Sequence, residues 1–171
     1  SGHTKICQYI VMIYFLVMTT VYPLYAPGGY MHIGQVKYEF FRGVSFVMTA
    51  SLIAVILCSF LMHRENNWLL SHYKRMSVTD WFAYGYLVAV MISYLCSPYK
   101  ENALWGAEGW YMGVITQMIF VLIYFFFSRY FHADVRWFGI WMLSSAIVFV
   151  LGICNRYSVY PIVMQGQTEG F

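Results

Sequence analysis

The residues best suited to chemistry lie in two short stretches between apolar runs. One is Ser97-Pro-Tyr-Lys-Glu-Asn-Ala-Leu-Trp-Gly-Ala-Glu-Gly-Trp-Tyr-Met-Gly113, which sets Lys100, Glu101 and Glu108 beside Trp105, Trp110 and Tyr111. Pro98 and three glycines make it a non-helical link. Cations there would meet an anionic group, and the aromatic rings offer a stacking face to the C–H surface of a sugar. The other is Gln35-Val-Lys-Tyr-Glu-Phe-Phe-Arg42, where Lys37 gives a point charge and Arg42 a bidentate fork suited to phosphate. Each has a plainer reading. Long basic side chains snorkel at a membrane surface, and aromatic residues anchor there as a belt. Glu108 suits the positive end of a following helix, and the Gly109/Gly113 spacing suits close helix packing.

Composition decides which elements position these residues. The chain has 171 residues, 61% hydrophobic, 21% aromatic and 10% charged. A soluble domain is about 25% charged, and one of this size would leave much of that apolar surface wet. The solvent is therefore lipid. A net charge of +3, dispersed along the chain, excludes a nucleic-acid-binding surface.

A bilayer core of about 30 Å takes about 20 apolar helical residues. Five runs meet this, near residues 6–25, 43–62, 81–97, 109–128 and 137–155, which predicts an all-α, polytopic integral membrane helical bundle forming a single domain. Pro23 and Pro27 end the first run, Thr79 and Asp80 open the third, and Pro98 closes it. Uninterrupted runs near twenty residues do not fit barrel strands, which alternate over about ten. The first run is too long for a signal-peptide core, so it reads as a helix that stays. Trp68, Leu69, Leu70, Tyr73 and Met76, interleaved with Lys74 and Arg75, read as a short interfacial helix.

Orientation comes from the basic residues. With the N-terminus cytoplasmic, the inside carries Lys5, Arg64, Lys74, Arg75, Arg129 and Arg136, against Lys37, Arg42, Lys100 and Arg156 outside. The connectors at 23–42 and 97–108 then face outward together and read as walls of one site for an anionic lipid headgroup.

Other chemistry finds little footing. No acid, base or histidine falls in the middle of any run, which argues against a proton relay, ion pump or voltage sensor. Gln117, within the fourth run, reads as a side chain hydrogen-bonding a neighbouring helix. His32 and His132 stand without a second ligand at helical spacing, so no metal is expected. Cys7, Cys58, Cys96 and Cys154 read as small buried hydrophobes, with a Cys96–Cys154 pair as the alternative.

The run Ser77-Val-Thr-Asp-Trp81, the apolar helix after it and the 97–113 stretch resemble the O-antigen ligase/polymerase family of bacterial membrane proteins. Lys37 with Phe40 and Phe41 fits that family's first outer loop. Gly152-Ile-Cys-Asn-Arg-Tyr-Ser-Val-Tyr-Pro161 and the tail after it are similar to the segment behind the family's fifth helix. Where many members carry Arg before the fourth helix, this chain has Glu108 or Trp110. The resemblance implies a plasma- or inner-membrane glycosyltransferase that moves glycan from a lipid-diphosphate carrier, usually undecaprenyl diphosphate, to an acceptor hydroxyl on the outer face. It implies no metal or other cofactor. It also implies that this chain is an N-terminal fragment, inactive alone, that meets other transmembrane helices of the full-length protein.

On that footing the substrate-binding candidates are Lys37, Arg42, Lys100, Trp105, Trp110 and Tyr111, and no catalytic base stands out. Two other classes remain. One is a transporter subunit, against which the uncharged mid-spans argue. The other is a membrane scaffold binding partner helices through Ala50, Ser51 and Ala54, or Ser144 and Ser145.

Overall fold

A computed structural model of the chain describes residues 2–27, 32–62, 76–157 and 159. Among these the fold is all-helical, with no strand. The elements are α1 (Gly2–Leu24), α2 (Ile33–Met62), α3 (Val78–Cys96), α4 (Lys100–Trp105), α5 (Val114–Tyr130) and α6 (Val135–Arg156). Four of them, α1, α2, α3 and α6, are long and apolar enough to cross a membrane. The fifth apolar helix, α5, has 17 residues, about 26 Å at 1.5 Å per residue, the short end of what a bilayer accepts. The anticipated interfacial helix falls mostly on residues 63–75, and the tail on 160–171, both outside the described residues.

Large apolar side chains face outward along the rods: Phe46 is 71% exposed, Leu61 77% and Phe149 70%. Water would not tolerate such surface on a monomer, whereas lipid does. The chain is a multi-pass membrane protein of helical-bundle type.

The helix ends differ from the hydropathy runs in ways that bear on function. α2 starts at Ile33, ten residues before the apolar run at 43, so Lys37 and Arg42 stand on a helix and not in a connector. Residues 35–42 contain no Gly or Pro, and Gln35 Nε2 donates to Glu39 Oε1 one turn on at 3.0 Å, a spacing that favours helix. Pro23 does not stop α1 but alters it. Lacking an N–H, it cannot donate to the Thr19 carbonyl four residues back, and its ring crowds that carbonyl. The helix widens into a π turn at Val17–Val21. The Thr19 and Thr20 hydroxyls donate to the Phe15 and Leu16 carbonyls at 2.8 and 2.6 Å, and the hydroxyl of Ser144 on α6 donates to the freed Thr19 carbonyl.

The chain forms two compact units. The first comprises Ser1–Val11 and Ser45–Phe131, the second Met12–Val44 and His132–Phe171. In the first, α3 and α5 form a hairpin clamped at one end by charge. The N-cap of α3 is Ser77, in a capping box completed by Asp80, where the sequence pointed to Thr79 and Asp80. Asp80 is only 4% exposed. Its carboxylate accepts from the Ser77 N–H at 2.9 Å, from the Tyr124 hydroxyl at 3.0 Å and from Arg129 Nη2 at 3.2 Å. Arg129 closes α5 where a cation suits the helix dipole. The Tyr84 and Phe125 rings, 4.8 Å apart, continue the contact along the hairpin.

Removing the carboxylate leaves a guanidinium largely shielded from water without its partner, so Asp80→Ala is expected to cost about 3 kcal/mol of stability. Ser144→Ala, which orphans one carbonyl, should cost about 1 kcal/mol. Denaturation in detergent by SDS titration reads both. Equal losses from the two variants would refute the assignment of Asp80 as the ionic clamp.

Candidate functional site

The 97–113 link lies wholly in the first unit, and its geometry stems from how α3 ends. Pro98 forbids continuation, and Ser97 turns extended. The Ser97 hydroxyl accepts from the Tyr99 N–H at 3.2 Å. The last α3 carbonyls then lack their usual donors four residues on, and that of Tyr94 accepts instead from the Ser97 N–H at 3.2 Å. Lys100 supplies more: its ammonium donates to the Tyr94 and Leu95 carbonyls at 2.8 and 2.6 Å and lies 5.1 Å from the Tyr94 ring centroid.

The short helix α4 ends at Gly106 with φ +91°. The Trp110 and Tyr111 N–H groups both donate to the Ala107 carbonyl, at 3.1 and 3.0 Å. The link then closes on itself. A Cβ on Gly106 would strike the backbone of Met112, and one on Gly113 would strike the backbone of Leu104 and Trp105. Glycine is required at both crossings. Gly109 and Gly113 are thus not a helix-packing pair. Gly109 has φ +89° with open space beside it, and Gly113 packs against the link. Nor does Glu108 stand at a helix entrance, because α5 begins at Val114.

Between the crossings Tyr111 takes the left-handed conformation, φ +49°. The carbonyls of Tyr111 and Met112 precede the first helical bond, from the Gln117 N–H to the Gly113 carbonyl. Side chains from α5 serve them instead. The Thr116 hydroxyl donates to the Tyr111 carbonyl at 2.6 Å, and Gln117 Nε2 donates to the Met112 carbonyl at 3.4 Å. Gln117 Oε1 accepts from the Tyr86 hydroxyl of α3 at 2.6 Å. The expected interhelical bond from Gln117 is present, though at the helix entrance and not at its middle.

Four sequence candidates therefore share one closed link: Lys100, Trp105, Trp110 and Tyr111. Trp110 is 82% exposed, and Trp105 and Tyr99 are exposed beside it. Glu101 and Glu108 are exposed as well. Lys100 is exposed too, with two bonds from its ammonium going to the α3 carbonyls.

Lys37 and Arg42 belong to the second unit. Lys37 donates to the Pro23 carbonyl at 3.1 Å and sits 5.5 Å from the Tyr22 ring centroid. The Tyr25 and Phe40 rings pack 4.5 Å apart beside it. Lys37 thus caps the end of α1, as Lys100 caps α3. The Arg42 guanidinium lies 5.5 Å from the Tyr38 ring one turn back. A groove of 390 Å³ runs along the π turn in this unit, between Met18, Thr19 and Pro23 on one side and Trp141, Ser145 and Phe149 on the other.

The sequence reading missed the Asp80–Tyr124–Arg129 cluster and the roles of Tyr86 and Thr116. A signal for the first was present: a carboxylate opening one helix and an arginine closing the next must share an end of an antiparallel hairpin. No protein-family model, curated protein or solved structure matches the chain.

The crossings order two substitutions. Gly113→Ala meets the backbone of Leu104, Trp105 and Gly106 and should open the link, whereas Gly109→Ala meets only the unfavourable φ, worth about 1–2 kcal/mol. Limited proteolysis in detergent should cut Gly113→Ala within 97–113 well before Gly109→Ala. The reverse order would contradict the closed crossing.

Proposed function

We propose that the chain is the membrane portion of an O-antigen ligase/polymerase-like glycosyltransferase. Its link at 97–113 contacts the saccharide of a lipid-diphosphate carrier, of the undecaprenyl diphosphate kind, on the outer face of a plasma or inner membrane, with the N-terminus cytoplasmic. The observation that carries this reading is the closed link presenting Trp110 and Trp105 outward. Two of its features support the resemblance on which the reading rests. Gly106, in the Trp-Gly pair, and Gly113 are the positions where only glycine fits. Pro98, in the Ser-Pro pair, creates the helix end that Lys100 caps.

The arrangement divides the labour. A diphosphate leaving group needs cations as its charge develops, and Lys37 and Lys100 already serve carbonyls. What the link offers outward is aromatic rings with the carboxylates of Glu101 and Glu108, which suits sugar C–H faces and hydroxyls better than a diphosphate. The assignment is therefore to saccharide binding, with the transfer step left to groups elsewhere.

A scaffold reading is favoured by a different observation: Ala50 and Ala54 on α2 are exposed, a small-residue face that a partner helix would cover.

The test uses the chain in nanodiscs, titrated with undecaprenyl diphosphate bearing a short saccharide and with the bare carrier. The glycosylated carrier should bind more tightly. Trp110→Ala should weaken it about three- to tenfold while leaving the bare carrier unaffected. Equal affinity for both carriers would remove the saccharide assignment and leave the scaffold.

A further inference from the structure

Gln117 on α5 joins the link to the neighbouring membrane helix through bonds on both sides of its amide. Its Oε1 accepts from the Tyr86 hydroxyl at 2.6 Å and its Nε2 donates to the Met112 carbonyl at 3.4 Å. Thr116 holds the adjacent Tyr111 carbonyl at 2.6 Å. Directly before these two carbonyls stands Trp110, and between Trp110 and Met112 the backbone takes the left-handed conformation at Tyr111.

We propose that Gln117, with Tyr86 behind it and Thr116 beside it, is a positioning residue for Trp110. The chain of bonds from Tyr86 through Gln117 to Met112 sets the direction in which the indole leaves the link. The proposal rests on the reading of the link as a saccharide-binding platform, and it adds a residue that touches no ligand.

The physical case has three steps. A left-handed non-glycine residue costs about 1–2 kcal/mol and persists only where its surroundings hold it. Here the Tyr111 and Met112 carbonyls are both held by side chains of the first α5 turn, and the Tyr111 N–H donates to the Ala107 carbonyl, so none of the three peptide planes after Trp110 can rotate without breaking a bond. Finally, the holding amide is itself oriented. A glutamine side chain alone has several rotamers, and the short bond from Tyr86 selects the one whose Nε2 reaches Met112. Breaking either bond removes a partner that orients the Gln117 amide. Gly106 and Gly113 close the link's neck, so the remaining freedom lies in the 107–112 segment that carries Trp110.

The experiment uses the whole chain in nanodiscs with 5-fluorotryptophan in place of tryptophan, the Trp110 resonance being assigned by its loss in Trp110→Phe. Gln117→Leu, close in volume, should shift or split the Trp110 resonance and leave those of Trp137 and Trp141 on α6 in place. Tyr86→Phe should move it in the same direction by less, and the double variant should move it no further than Gln117→Leu. In the carrier titration, Gln117→Leu should weaken the glycosylated carrier about threefold or more although Trp110 is present. An unmoved Trp110 resonance, or all tryptophans moving together, overturns the positioning role. So does a moved resonance with unchanged affinity for the glycosylated carrier. The two readings fail separately. A moved resonance in a chain whose unaltered form binds no glycosylated carrier overturns the platform. Binding with an unmoved resonance overturns Gln117 alone.

Discussion

Hydrocarbon offers no hydrogen bonds, so each backbone carbonyl released where a helix breaks must find its donor on the chain itself. The described residues meet this demand by different chemistries, Lys37 taking the Pro23 carbonyl at the end of α1 among them. Pro23 frees the Thr19 carbonyl, and a serine hydroxyl from α6 takes it. The end of α3 frees the Leu95 carbonyl, and an ammonium from the next turn takes it together with the Tyr94 carbonyl, which the Ser97 N–H also serves. The late start of α5 frees the carbonyls of Tyr111 and Met112, and a hydroxyl and an amide from that helix take one each. The polar residues of this chain are disposed chiefly by the breaks in its backbone.

That disposition changes what its charges are for. A lysine held by two carbonyls at under 3 Å keeps its charge but is fixed against the end of its own helix. Asp80 and Arg129 show the same economy: each is matched before it is shielded, and the carboxylate receives three donors. Facing outward most fully in the link is the Trp110 indole, 82% exposed. The functional reading turns on that contrast between residues consumed in holding the fold and residues it presents.

Much of this was legible in the sequence because hydropathy reports the solvent. Among the described residues the apolar runs located the four helices long enough to cross a membrane and the shorter α5, and Pro98 with the glycines located the link. What hydropathy does not report is where a helix stops. Residues 33–42 are too polar for lipid, yet they continue α2 unbroken, because nothing in Gln35 to Arg42 interrupts helical bonding. Conversely, Trp110, Tyr111 and Met112 are apolar enough to join a span but lie outside α5, because the backbone at Gly109 and Tyr111 has already turned left-handed. The partners of Lys37 and Lys100 escaped the reading for a related reason. Side-chain chemistry suggested an outside ligand, while the carbonyls that compete for these ammonium groups carry no sequence signal of their own.

The length of α2 has a mechanical meaning. Its 30 residues measure about 45 Å, against a hydrocarbon thickness of about 30 Å. The helix is thus about ten residues longer than the hydrocarbon is thick, and those residues continue it as turns of helix and not as a slack tether. Lys37 and Arg42, five residues apart in the part of α2 that belongs to the second unit, are stationed about 7.5 Å apart along its axis, so neither shifts along the helix without the other.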